Sequence, residues 1–230
     1  MKKMLITISI IILVLALVSG GLIAWANASH HRINVNRLTV RSLTDRQVTL
    51  TAAPKALNLR VQTAVVTIRS GAQNRLDLTN VAADQYHLDQ QNDTLSLTET
   101  AADRHQLTLG RSAKIVLTLA NADDLDAVTI HQLNGTLNLT DLTTHHLEIH
   151  HHNGTTQAHR LTVTGAGRLI KDNGSTTLTQ LTSAGLNVAV KNGQAHLNGR
   201  RVATSNHNYT VAGQHPLTIT SGSGQVKITQ

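Results

Sequence analysis

The amino-acid sequence predicts an all-β protein: a parallel, single-stranded β-solenoid (β-helix) of ~20-residue coils, preceded by one N-terminal transmembrane helix. Three observations carry this reading. Asn-Gly pairs recur at Asn134-Gly135, Asn153-Gly154, Asn173-Gly174 and Asn192-Gly193, at intervals of 19, 20 and 19 residues. Apolar residues recur at fixed offsets from that Asn. The 230 residues are 40% hydrophobic yet 1% aromatic, with no Phe, one Trp and two Tyr. A core must therefore be built from Leu, Ile, Val and Ala, which suits a narrow coil interior.

The elements follow in chain order as a cytoplasmic tip (1–3), a transmembrane anchor (4–26), a basic juxtamembrane segment with the first strands (27–60), and a solenoid ectodomain (61–230). Met4 to Ala26 carries no charge. About 20 apolar residues are what a helix needs to cross ~30 Å of hydrocarbon. A cleaved signal peptide has a shorter apolar stretch of ~7–15 residues, although Ala26-Asn27-Ala28 resembles a small-residue cleavage site and Gly20-Gly21 offers an early helix end. Trp25 fits an interfacial anchor. Lys2 and Lys3 ahead of the apolar run place the body outside, in a single-pass protein of the cell membrane, although Arg32, Arg37 and Arg41 on the other flank weigh against that orientation.

The net charge of +7 is unevenly placed. Between residues 32 and 75, eight Lys or Arg face Asp45 alone, whereas from residue 76 onward ten basic residues face twelve acidic ones. The chain is a nearly neutral body with a basic collar. Arg32, Arg37, Arg41 and Arg46 are the candidates for contact with anionic headgroups or an anionic wall polymer; a solvated Arg-rich strand surface with no ligand is the alternative. Nucleic acid is not an expected partner, because single-strand grooves stack bases on aromatic rings that this chain lacks.

The body alternates apolar and polar residues at strand period, as in Val65-Val66-Thr67-Ile68, Arg75-Leu76-Asp77-Leu78, Thr94-Leu95-Ser96-Leu97 and Ile115-Val116-Leu117-Thr118-Leu119. Six residues before each repeat Asn stand Val128, Leu147, Gly167 and Leu186; four before stand Ile130, Ile149, Leu169 and Val188. Five after stand Leu139, Ala158, Leu178 and Leu197; eight after stand Leu142, Leu161, Leu181 and then Arg200. Asn-Gly between alternating runs also signals a hairpin, which would give an antiparallel meander. Recurrence of whole ~20-residue units with like residues at like positions favours stacked coils. Asn and Gly tolerate the positive φ of the corner. Gly213 and Gly222 to Gly224 are read as a less regular final turn.

The run from Val65 to Ile68, through Lys114 to Leu119 and Val128-Thr129-Ile130, into the four Asn-Gly units resembles the bacterial "putative adhesin" β-strand-repeat family. This is a domain of unknown function in membrane-anchored envelope proteins, Lia-type envelope-stress components among its relatives. The resemblance spans about residues 60 to 228. It implies the repeat fold and an envelope location, and it brings no catalytic residue. Family members usually carry Ser-Gly-Asp or a similar turn where this chain has Asn-Gly-Thr or Asn-Gly-Ser, and the Pro often found after the strand equivalent to Leu117-Thr118-Leu119 is absent.

The densest chemistry is the run His145-His146-Leu147-Glu148-Ile149-His150-His151-His152. With Leu147 and Ile149 inward, Glu148, His150 and His152 share the outer face, and the repeat brings His131 beside His150. His131, Glu148, His150 and His152 are thus candidate ligands for zinc, nickel or copper. The competing reading is a set of cross-coil charge ladders, with Glu148 beside Arg168, His152 beside Asp172, and Asp172 beside Lys191. No cofactor is expected. Catalysis is not expected either. No ladder stacks two carboxylates, the Asp123-Asp124-Leu125-Asp126 cluster reads as a turn, and there is no phosphate loop, Ser elbow or Cys nucleophile. Zero Cys also excludes a disulfide framework.

These features describe a non-catalytic, membrane-anchored interaction module of the cell envelope, an accessory in envelope-stress signalling or maintenance with a protein partner or anionic wall polymer. The alternatives are a surface adhesin binding host or wall polymers, and a metal-binding surface protein. About eight coils span only ~40 Å, too short a reach to project far beyond a wall.

Overall fold

The computed structural model describes residues 2–100 and 107–230. Helix α1 (Lys2–Ala28) leads into a hairpin of β1 (His31–Asn34) and β2 (Thr39–Ser42). Then come β3 (Thr44–Thr49), β4 (Ala56–Ser70), β5 (Arg75–Val81), β6 (Tyr86–Gln91), β7 (Thr94–Glu99), β8 (Thr108–Gly110) and β9 (Ala113–Leu119). The repeat region contains β10 (Leu125–Val163), β11 (Gly167–Thr179), β12 (Thr182–Ser183) and β13 (Leu186–Leu197). The chain closes with β14 (Arg200–Thr204), β15 (His207–Val211) and β16 (Leu217–Ile228).

Gly20-Gly21 do not end α1, which runs on to Ala28. Its apolar stretch, Met4–Ala28, is long enough to cross a membrane, and it stands exposed from Met4 to Trp25. Helix and body meet at its end: Ala26 is fully buried and Trp25 stacks on His31 with ring centroids 5.1 Å apart.

The body is a β-solenoid-like stack whose middle rungs are parallel. β9 pairs with β4, β4 with the first half of β10, and the second half of β10 with β11, all in parallel. The long β10 covers two successive coils. The next rung differs from sequence order. β11 pairs with β16, and β13 pairs with the far side of β16. The last strand of the chain is therefore inserted between the third and fourth Asn-Gly units. Ser223-Gly224, read from sequence as part of an irregular turn, is a regular rung: Asn173 and Asn192 both lie opposite Ser223. Ser-Gly can substitute for Asn-Gly because it keeps a small polar residue followed by a glycine at positive φ (136° at Gly224). Antiparallel strands close both ends, with β5 on β9 and β3 on β5 at one end, and β14 and β15 on β13 at the other.

The corner explains the glycines. Gly135, Gly154, Gly174, Gly224 and Gly193 have φ of 114°, 122°, 115°, 136° and 137°. A Cβ on Gly154 would run into the Gly135 carbonyl, one on Gly174 into that of Gly154, one on Gly224 into that of Gly174, and one on Gly193 into that of Gly224. Each glycine thus lets one coil settle directly on the next. The Asn side chains form a parallel ladder, Asn173 Nδ2 donating to Asn153 Oδ1 (2.9 Å) and Asn153 Nδ2 to Asn134 Oδ1 (3.1 Å). A second left-handed corner lies seven residues on, at Asp141, Arg160 and Gln180 (φ 57°, 51° and 55°). Arg160 there pairs with Asp141 of the coil before.

Between the corners the predicted inward positions are buried: Val128, Leu147 and Leu186, Ile130, Ile149, Leu169 and Val188, Leu139, Ala158 and Leu178, Leu142, Leu161 and Leu181. The fourth unit departs, since Leu197 is only partly buried and Arg200 is exposed, because the chain leaves the stack there to form β14. Replacing Gly154 by Ala is expected to lower unfolding stability by more than ~3 kcal/mol, combining positive φ with a backbone clash. Gly199→Ala has positive φ but open space around it; it should cost only ~1–2 kcal/mol. Urea unfolding of both variants measures the difference.

Candidate functional site

Three groupings of polar side chains stand out. The first is at the base of the body, beside α1. Arg32 in β1 is half-buried. Its Nη2 donates to the carbonyls of Asn80 and Arg111 (both 2.7 Å), and its Nη1 to Gln85 Oε1 (3.0 Å). Burial lowers the guanidinium pKa, and the nearby Tyr86 and Glu99 oppose that. Arg41 pairs with Asp84, while the Arg37 guanidinium has no partner among the described residues. Arg32, Arg37 and Arg41 line one cavity of about 180 Å³, together with Gln62, Gln85, Glu99, Thr100, Thr108 and Ser112 among others. Arg46 is not with them: it lies exposed in β3, opposite Leu78 of β5.

Glu99 closes the back of that cavity. Its Oε2 accepts from the Gln62 backbone N–H (2.6 Å) and its Oε1 from Gln85 Nε2 (2.9 Å). Burial pushes its carboxyl upward, and these hydrogen bonds and Arg32 pull it back. The side-chain Nε2 of Gln62, a residue only 6% exposed, has no hydrogen-bond partner among the described residues.

The second grouping is the outer histidine face. His131 and His150 sit on adjacent coils with ring centroids 5.0 Å apart, and His150 Nε2 donates to Glu148 Oε1 (2.7 Å). His152 instead turns to Asp172 (2.7 Å). Three of the four candidate ligands are thus neighbours and the fourth is engaged elsewhere. Among the described residues, no group of three or more His, Asp or Glu is arranged to hold a metal ion. Glu148 lies opposite Arg168 as the charge-ladder reading expects. The expected Asp172–Lys191 step is absent, because inserted β16 places Gly222 against the Asp172 backbone.

The third grouping is inside. Two residues before the corner Asn, the inward side chains along the stack are Val61, Gln132, His151, Lys171, Ser221 and Val190, each no more than 2% exposed. Across the corner, Thr156 and Thr176 are equally buried. The result is a polar island with valine at both ends. Lys171 Nζ donates to His151 Nδ1 (3.0 Å) and Thr156 Oγ1 (3.2 Å), and Gln132 Nε2 to the carbonyls of Ala64 (2.8 Å) and Asn134 (2.9 Å). Gln132 Oε1, His151 Nε2, Thr176 Oγ1 and Ser221 Oγ lack partners among the described residues. Burial holds the Lys171 ammonium down at about 8, and burial followed by the Lys171 charge holds His151 down at about 4.

The alternation that turns Leu147 and Ile149 inward also turns His151 inward, so this island was signalled by parity. His146, His150 and His152 of the same run have the opposite parity and face outward.

Both shifts cost stability, His151 on the acid side of neutrality and Lys171 at neutral pH. The unfolded chain takes up the His151 proton as pH falls below its ordinary 6.5, whereas the folded protein waits until about 4, so stability should fall across that window. Lys171 sheds its proton near 8 when folded but near 10.5 when unfolded, so stability should recover as pH rises between those values. Lys171→Met should therefore raise stability at pH 7 by about 1–3 kcal/mol. The gain should shrink from pH 8 to 10.5, as read by denaturant unfolding at each pH.

Residues 55–230 match the family described as Toastrack DUF4097. A "putative cell adhesion protein" from Clostridium sporogenes superimposes on 82% of this chain and 100% of its own, at 13% identity and a TM-score of 0.64. That likeness is one of fold. "Putative adhesin" structures from Bacteroides fragilis (9% identity, 82% of this chain and 97% of that one, TM-score 0.32) and Parabacteroides merdae (11%, 81% and 96%, 0.30) superimpose too poorly to carry an argument. No curated protein matches the sequence.

Proposed function

The chain belongs to the Toastrack DUF4097 family, and from that premise we propose that it is a non-catalytic interaction module of the cell envelope, anchored by α1 with its body outside the membrane. Its work is as an accessory in envelope-stress signalling or envelope maintenance, through a protein partner or an anionic wall polymer.

The observation that carries this is the join between helix and body. Only Ser29 and His30 separate α1 from β1. Ser29 Oγ and its backbone N–H both donate to the Trp25 carbonyl (2.6 and 2.9 Å), Trp25 stacks on His31, and Ala26 is buried against the base. A body held this close to its membrane span presents its faces to other membrane-proximal molecules. The stack above supplies a firm outer surface of Thr, Asn, His and charged residues, whose cross-coil pairs leave few groups poised for chemistry.

A second reading is surface adhesion, favoured by the fold shared with the Clostridium sporogenes structure. Reach separates the two, because stacked strands rise only ~4.8 Å per coil and no stalk lifts the body from the span. Crosslinking of the full-length protein in living cells, followed by purification, discriminates them. The expected result is recovery of a sensor kinase or its membrane inhibitor. Recovery of only host or matrix molecules would reject the signalling reading in favour of adhesion.

A further inference from the structure

Outside α1, the large apolar side chains that stand exposed among the described residues are Val35 (36%), Leu38 (87%), Val40 (52%) and Leu107 (60%). All four gather at the three-stranded sheet of β2, β1 and β8 at the base: Val40 is in β2, Val35 and Leu38 lie in the β1–β2 turn, and Leu107 directly precedes β8. The Val35 N–H donates to the Leu107 carbonyl (2.9 Å), and Val40 lies opposite Ile33. Leu38 sits at the hairpin turn with φ 49°, beside Arg37. Elsewhere the body hides its aliphatic side chains thoroughly, so this cluster needs a partner of its own.

The position of the sheet says what that partner is. The 25 residues of Met4–Ala28 make a helix of ~37 Å, about 7 Å more than the hydrocarbon core needs. Its last turn therefore lies at headgroup depth, where Trp25 stacks on His31 of β1. The four residues of β1 span only ~13 Å, which keeps the hairpin close to that layer. The adjoining cavity, about 180 Å³, is lined by Arg32, Arg37 and Arg41 and by the buried Gln62. The hydroxyl side chains of Thr100, Thr108 and Ser112 also line it. The Glu99 carboxylate behind them is already hydrogen-bonded by Gln62 N–H and Gln85.

We propose that the β1–β2 hairpin and β8 form a second membrane contact, in which Val35, Leu38, Val40 and Leu107 enter the headgroup layer and the Arg32–Arg37–Arg41 cavity takes the phosphate of an anionic phospholipid. This rests on α1 being a membrane anchor and names the ligand of the basic collar. Apolar insertion and phosphate capture act together: the first brings the cavity to the right depth, and the second selects for charge.

The absence of cysteine makes the test clean, since single Cys substitutions in the full chain can be labelled uniquely. Full-length protein carrying a polarity-sensitive fluorophore at Leu38→Cys is placed in nanodiscs of phosphatidylcholine, or of phosphatidylcholine with phosphatidylglycerol, containing spin-labelled lipid. Labels at Ile12→Cys and Asn206→Cys report the span and the far end. The expected result is quenching at position 38, stronger with phosphatidylglycerol, with Arg37→Gln weakening that preference about five-fold. Emission at 38 matching the unquenched 206 label, or quenching equal in the two lipids, would overturn the proposal. An unquenched label at position 12 would instead show that the anchor reading itself has failed.

Discussion

Direct stacking of backbone on backbone at the Asn-Gly corner is the constraint from which the rest of the molecule follows. Each corner glycine stands where any Cβ would collide with the carbonyl of the coil beneath, from Gly135 on Ala64 through to Gly193 on Gly224. That contact sets the spacing of the coils, keeps the Asn ladder in register and aligns like residues above like. Leu, Ile, Val and Ala then fill the interior in columns. A large ring at one rung would have to be accommodated by its neighbours above and below, so the scarcity of aromatics is a consequence of the stacking rather than an oddity of composition.

The same stacking makes the interior polar island possible and costly. At the position two residues before the corner, Val61 and Val190 show that the backbone closes well over an apolar residue. Gln132, His151, Lys171 and Ser221 at that position are thus not demanded by the turn. Their partial pairing leaves donors and acceptors unmet inside the coil. Burial without a carboxylate partner explains why both the lysine and the histidine resist carrying charge.

Much of this was legible from residue order. The 19- and 20-residue spacing located the corners, and the offsets from Asn located the inward columns Val128–Leu147–Leu186 and Ile130–Ile149–Leu169–Val188. The pairing of His131 with His150 followed from the same alignment. What escaped was the placement of β16 between β11 and β13. Sequence periodicity reports which segments are equivalent but not their spatial order, and Ser223-Gly224 departs from the Asn-Gly pattern just enough to hide its equivalence. The base escaped for a different reason. The collar arginines were visible as charge, but Arg46 parts from Arg32, Arg37 and Arg41 because strand pairing with β5 carries it away, and no local pattern in the chain announces that. Gln62 and Glu99 reach the cavity through long-range pairing of β4 with β7.

The order of the coils is the claim on which the account stands, and pairwise disulfide trapping tests it in a chain that has no cysteine of its own. Adjacent parallel rungs bring Cα atoms to ~4.8 Å, within disulfide range, whereas rungs two apart are nearly 10 Å from each other. The double variants Asn173→Cys/Ser223→Cys and Asn192→Cys/Ser223→Cys should each crosslink readily on mild oxidation, and Asn173→Cys/Asn192→Cys should not. Efficient crosslinking of the Asn173 and Asn192 positions, with none to position 223, would contradict the inserted C-terminal strand and restore a solenoid in simple sequence order.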